Sequence, residues 1–190
     1  MPRQAGLVLR LTLPAFLVGC GAGLTIPFLN LYFRDRFGVG PRGIGGLFSV
    51  SQLLMVGGFL AGPILARRFG HVRAIVATEL LSLPFFLLLA VTDRLEVAAG
   101  AFWMRAALMN MNHPVAAAFA MESVDEDQRA VLNSVRSFAW NLSWMVTAAL
   151  GGWIIKETGG YAASMFATIG LYLAAAGSFW WWFRGRVVGG

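Results

Sequence analysis

The chain has 190 residues, 58% of them hydrophobic and 13% charged, with a formal net charge of +6 and a mean hydropathy of +0.69. A water-soluble domain cannot hide so much apolar surface, so this composition marks an integral membrane protein. Its basic excess is read as loop anchors and lipid-headgroup contacts rather than as a nucleic-acid footprint, and a single cysteine excludes a disulfide framework or a cysteine-cluster metal site.

Crossing ~30 Å of hydrocarbon takes roughly 20 apolar residues as a helix. Six such runs are predicted, over about 11–33, 44–66, 72–91, 97–121, 130–155 and 161–183. The first opens with Arg3, Arg10 and an apolar stretch leading to Leu17-Val18-Gly19-Cys20, which is reminiscent of a lipoprotein signal. The run continues apolar from Gly21 to Phe33, so it is read as a first span rather than a cleaved leader. It carries Thr25, Pro27 and Asn30, and Asn30 is a candidate for a solute pathway. In the second run Gln52 is the one strongly polar group, while Gly57, Gly58 and Gly62 permit close helix approach.

The third run contains Glu79. The fourth is the most polar, with Arg105, Asn110, Asn112, His113 and Pro114 in one span. Ionisable groups inside a span cost a few kcal/mol on insertion scales, so they face a protein interior or a watery cavity. The spacing of Arg105, Asn110, Asn112 and His113 places them along one broad helical face, read as the lining of a solute or ion pathway. The fifth run has two ridges at spacings of four: Asn133, Ser137 and Asn141, and Arg136, Trp140 and Trp144. Arg136 and Asn141 join the pathway candidates, and Arg136 is expected to pair with Glu122 or Glu79. The last run ends in Trp180-Trp181-Trp182 before Arg184, an interfacial aromatic belt.

Between the runs, Arg3, Arg10, Arg67, Arg68, Arg73, Arg129, Arg184 and Arg186 would share one side, against Arg34, Arg36, Arg42, Arg94 and Lys156 on the other. The positive-inside rule then puts both termini in the cytoplasm, with the inner membrane as the location. Pro27 and Pro114, and likewise Arg42 and Arg129, are 87 residues apart, and Gly62 and Gly151 are 89 apart. The expected fold is therefore all-α, with six transmembrane helices as two three-helix repeats, the second inverted in the membrane. No motif for hydrolysis, phosphate binding or metal-dependent chemistry occurs, so neither an enzyme nor a cofactor is expected.

The stretch Gly62-Pro63-Ile64-Leu65-Ala66-Arg67-Arg68-Phe69-Gly70-His71-Val72-Arg73 resembles the loop signature between helices two and three of the Major Facilitator Superfamily. Gly62, Arg67, Gly70 and Arg73 fit it, while Ala66 stands where the acidic residue belongs. Arg105 resembles the arginine of the family's helix-four motif, although Met109 replaces a glycine. Glu126, Arg129, Asn133 and Gly151-Gly152 resemble the entry and the glycine-rich end of helix five. The resemblance implies one six-helix half of a twelve-helix transporter, more in keeping with the C-terminal half. It further implies alternating access for a small solute, with protons as a possible coupling ion, a cavity lined by helices one and four, and a gating loop formed by Gly62, Arg67, Gly70 and Arg73. The partners would be lipid and either a complementary half or a second copy. The alternative is a non-transporting six-helix scaffold.

Overall fold

A computed structural model describes residues 2–185, with side chains from Gly6 onward. Arg186 and the side chain of Arg3, both used in the charge comparison, lie outside the described residues. The described chain is helical, without a strand: α1 (Pro2–Thr25), a 3-10 turn (Ile26–Phe28), α2 (Leu29–Phe37), α3 (Pro41–Phe69), α4 (His71–Val91), α5 (Leu95–Glu122), α6 (Glu126–Thr158) and α7 (Ala162–Phe183). Five stretches are long and apolar enough to cross a membrane: Gly6–Phe37, Pro41–Phe69, His71–Val91, Glu126–Thr158 and Ala162–Phe183. At 28 residues α5 has the length, but Arg105, Asn110, Asn112 and His113 dilute its hydropathy.

The first run is one span made of two helices. Pro27 has no N–H to give to the preceding turn, and the chain tightens there into the 3-10 turn before resuming as α2. Thr25 and Thr168 of α7 bind each other through their hydroxyls at 2.7 Å, and the Thr168 hydroxyl also reaches the Gly21 carbonyl at 2.8 Å. These bonds keep backbone and side-chain polarity satisfied away from water. By contrast α5 runs through Pro114 without interruption.

The ends of the helices are set by glycine. Gly38 closes α2 in the left-handed region, φ 67°, with its N–H on the Arg34 carbonyl and that of Val39 on the Phe33 carbonyl, a left-handed glycine cap of the αL type. Pro41 then starts α3 at its first turn. Gly70, at φ 84° and ψ 151°, is by itself the link between α3 and α4, a backbone conformation that a side chain resists.

Packing is selective. α1 lies against α6 and α7, α5 against α3 and α4, and α4 against α7, whereas α5 and α6 barely meet. The tightest approaches occur at small residues. A Cβ added at Gly58 would come within 2.7 Å of the Ala107 carbonyl oxygen of α5, and one at Gly62 would collide with that of Met111. One at Gly151 of α6 would run into the Leu24 backbone of α1, and one at Gly23 into Thr147. Gly57, expected to help, faces open space. Such small-residue contacts let dispersion and weak backbone interactions hold helices together where lipid removes the hydrophobic drive.

Two apolar cores result. One gathers Leu29, Tyr32, Phe33, Phe86, Phe102 and Tyr172. The other gathers Leu11, Ile75, Phe119, Leu132, Phe179 and Phe183. Beyond the first core, Arg36 binds Asp93 at 2.7 Å and the Thr92 carbonyl at 3.1 Å, and Tyr161 donates to Asp35 at 2.6 Å. Partial burial and that hydrogen bond push the Tyr161 hydroxyl up to about 12. The end of α2 is thereby tied to the α4–α5 loop and to the start of α7. At the other end Arg184 lies over the Trp181 ring, 4.9 Å from its centroid, as expected of an aromatic belt with a basic flank.

Replacing Gly62 or Gly151 by Ala is expected to destabilise the bundle by about 1–3 kcal/mol through overpacking. Gly57→Ala should be neutral. Thermal melts of the three variants in detergent, followed by tryptophan fluorescence, check the contrast.

Candidate functional site

Where the two cores meet, the bundle holds a cavity of about 290 Å³, open on one side. α1 contributes an apolar wall of Leu11, Pro14, Ala15 and Val18. The facing part of α5 supplies Met109, Asn112, His113, Ala116 and Ala120, spaced by three and four residues as one helical stripe. Arg136, Ser137, Trp140 and Asn141 come from α6, Ile75 and Glu79 from α4, and Phe179 from α7. The volume is at the small end of the ~300–1,000 Å³ found for ligand pockets.

The polar groups of this cavity are unusually free. Glu79 is 2% exposed, and its Oε1, the Asn112 Oδ1 and the Arg136 Nε are all buried without a hydrogen-bond partner. Buried polar atoms are nearly always paired, and of the six unpartnered ones among the described residues three belong to side chains that line this space. Arg136 pairs with neither Glu79 nor Glu122, contrary to the sequence reading. Its Nη1 reaches the Ala116 carbonyl at 3.3 Å, and Glu122 instead stands 4.0 Å from His71 Nε2 at the α3–α4 corner. His113 is exposed at the open side, where its ring meets Trp140 edge to face at 5.6 Å.

The other sequence candidates lie elsewhere. Arg105 continues the stripe one turn past Met109 but outside the cavity. It is 6% exposed, with its guanidinium 4.9 Å from the Phe86 ring centroid and its Nε unpartnered. Asn110 is turned away from the cavity face and donates to the Ala106 carbonyl at 2.7 Å. Asn30 is exposed on α2. Asn141 lines the cavity and donates to the Ser137 carbonyl at 2.8 Å. In the loop signature Gly62 is locked against α5, Gly70 makes the turn, and Arg67 and Arg73 are exposed. Ala66 is buried in the second core, so the position that resembles the family's acidic one is apolar packing here.

Glu79 is the residue that the sequence candidates missed. The signal was present, since an acidic group in a span whose neighbours are Leu, Thr and Ser must have a reason to be there. What spacing could not give was the α4 face that meets α5 and α6.

The family model of the Major Facilitator Superfamily matches residues 11–189. The chain belongs to the Major Facilitator Superfamily. Members of this superfamily are generally membrane transporters rather than enzymes, and the chain is a multi-pass membrane protein in contact with lipid. A comparison with curated proteins returned no match.

An unpaired buried guanidinium is a net cost to folding, and an apolar residue of similar volume often matches or exceeds its stability. Arg105→Met is therefore expected to melt at or above the wild-type temperature. A drop of several degrees in a detergent melt would instead show that the Phe86 contact outweighs desolvation.

Proposed function

We propose that the chain is one six-helix half of a major facilitator transporter that moves a small solute by alternating access, with the cavity as part of the pathway. The observation that carries this reading is the group of three unpartnered polar atoms, from Glu79, Asn112 and Arg136, around a space open on one side. A scaffold has no use for polar groups that pair with nothing, whereas a transporter must leave some free for cargo. His113, Asn112, Arg136 and Asn141 would contact the solute. Arg105 would act from below the cavity, and Asn30 from the α2 end.

The six helical segments would form two inverted repeats, α1–α2, α3 and α4 followed by α5, α6 and α7. Packing supports this: α3 on α5 corresponds to α6 on α1, α4 on α5 corresponds to α7 on α1, and α4 and α7 meet as equivalents. The closest glycine contacts correspond as well, Gly62 with Met111 and Gly151 with Leu24, so that the glycines are 89 and their partners 87 residues apart. In this arrangement α5 spans the membrane despite its polar stripe, because the stripe faces the cavity. Both termini would be cytoplasmic in the inner membrane, and Arg67, Gly70 and Arg73 would form the gating loop on that side. Burial of Ala66 in place of an acidic residue favours the C-terminal half.

The outer faces of α3 and α6 remain apolar and exposed, as at Leu53, Leu60, Ile64, Phe138 and Met145. A complementary half or a second copy would cover part of them, and lipid the rest. Uptake into proteoliposomes tests the proposal, comparing the chain alone with the chain joined to a six-helix half of the same superfamily. Uptake is expected from the joined protein and is expected to fall at least tenfold with Asn112→Leu. Uptake that is absent from both, in protein that melts cooperatively, would sink the transporter reading.

A further inference from the structure

We propose that the cavity takes a zwitterionic solute of amino-acid size with an apolar side group, its cationic end at Glu79 and its anionic end at Arg136. This rests on the cavity being a solute site, as argued above, and adds the chemical class. The carboxylate and the guanidinium approach from α4 and α6, two helices with no substantial packing on one another. Each is without an ion-pair partner among the described residues, and the two do not pair with each other. A carboxyl group and a guanidinium that line one cavity without pairing are satisfied together by a ligand that carries both signs, whose ammonium end would hold Glu79 as a carboxylate.

The alternatives fit less well. A simple anion would answer Arg136 and leave the buried Glu79 facing it, while a simple cation would reverse the mismatch. Either leaves one buried group, polar or charged, without a partner at membrane depth, which is costly. A zwitterion brings no net charge and supplies two partners. Apart from His113, Ser137 and Asn141 the remaining wall is apolar, with Leu11 and Val18 from α1, Ile75 from α4, Trp140 from α6 and Phe179 from α7, so the group between or beside the charged ends is an aliphatic or aromatic one. Asn112 Oδ1, an unpartnered acceptor on the same stripe, would add a hydrogen bond to an ammonium N–H. A volume of about 290 Å³ is suited to one such molecule rather than to a peptide or a lipid.

Three probes that share one side chain separate the possibilities: L-leucine, N-acetyl-L-leucine, which lacks the ammonium group, and L-leucine methyl ester, which lacks the carboxylate. Equilibrium binding of each radiolabelled probe to the full chain in lipid nanodiscs is the measurement. Leucine is expected to bind at least tenfold more tightly than either derivative. Glu79→Gln should abolish the preference over N-acetyl-leucine while keeping that over the ester, and Arg136→Gln should do the reverse. Equal binding of leucine and N-acetyl-leucine by the wild-type protein would overturn the proposal in favour of an anion site. Equal binding of leucine and the ester would do so in favour of a cation site, and no binding of any probe would overturn it outright. The wild-type comparison decides by itself if a variant does not fold. Zwitterion-selective binding without uptake by the joined protein would refute transport and spare the ligand class. Uptake of another solute without zwitterion selectivity would refute the class and spare transport.

Discussion

Close backbone approach at glycine is the constraint on which the rest of this structure depends. In hydrocarbon there is little to gain by hiding apolar side chains from lipid, so helices associate where their backbones can come near. Gly58 and Gly62 bring α3 onto α5, while Gly23 and Gly151 bring α1 and α6 together. These two unions use up the small-residue faces of four helices. α4 and α7 fill the middle with larger side chains, among them Phe86, Tyr172 and Phe179. No comparable contact draws α5 toward α6, and the cavity lies in the space left there.

The cavity also explains where stability is sacrificed. Tyr32, Thr25 and Thr168 show that this protein can satisfy buried polarity: the Tyr32 hydroxyl reaches the Leu89 carbonyl at 2.7 Å, and the two threonines bind one another. Against that background Glu79, Asn112 and Arg136 leave unpartnered atoms together around one space, while Thr12, Arg105 and Trp144 leave single ones elsewhere. Three unpartnered atoms gathered around one space concentrate part of that cost there, as functional sites commonly do.

Much of this was legible in the sequence, and the failures have physical causes. Hydropathy located the helices, because a span needs a length that charge interrupts. It missed the 3-10 turn at Ile26–Phe28, since proline in a membrane helix is as compatible with the unbroken α5 as with the broken first span. Helical spacing grouped Asn112 and His113, and both line the cavity. It also grouped Arg105 with them, but a stripe has a direction and no length, and the cavity ends above Arg105. Asn110 is only one residue from Met109, yet that is ~100° around the helix, enough to turn it to its own backbone. Glu79 was visible as an anomaly, but its neighbourhood depends on how α4, α5 and α6 assemble, and no local pattern encodes that. The expected pairing of Arg136 with an acidic residue failed for the same reason.

The two glycine-mediated unions have a further implication. α3 is attached mainly to α5, and α6 mainly to α1, and neither of these outer helices buries much besides small side chains. Each can therefore detach without dismantling the other, because the central α4 and α7 contact carries the larger aromatic surface. Under load or in harsh detergent such an assembly sheds its periphery first and in two independent steps. Amide exchange along the chain would register this as two labile outer helices around a slower central pair.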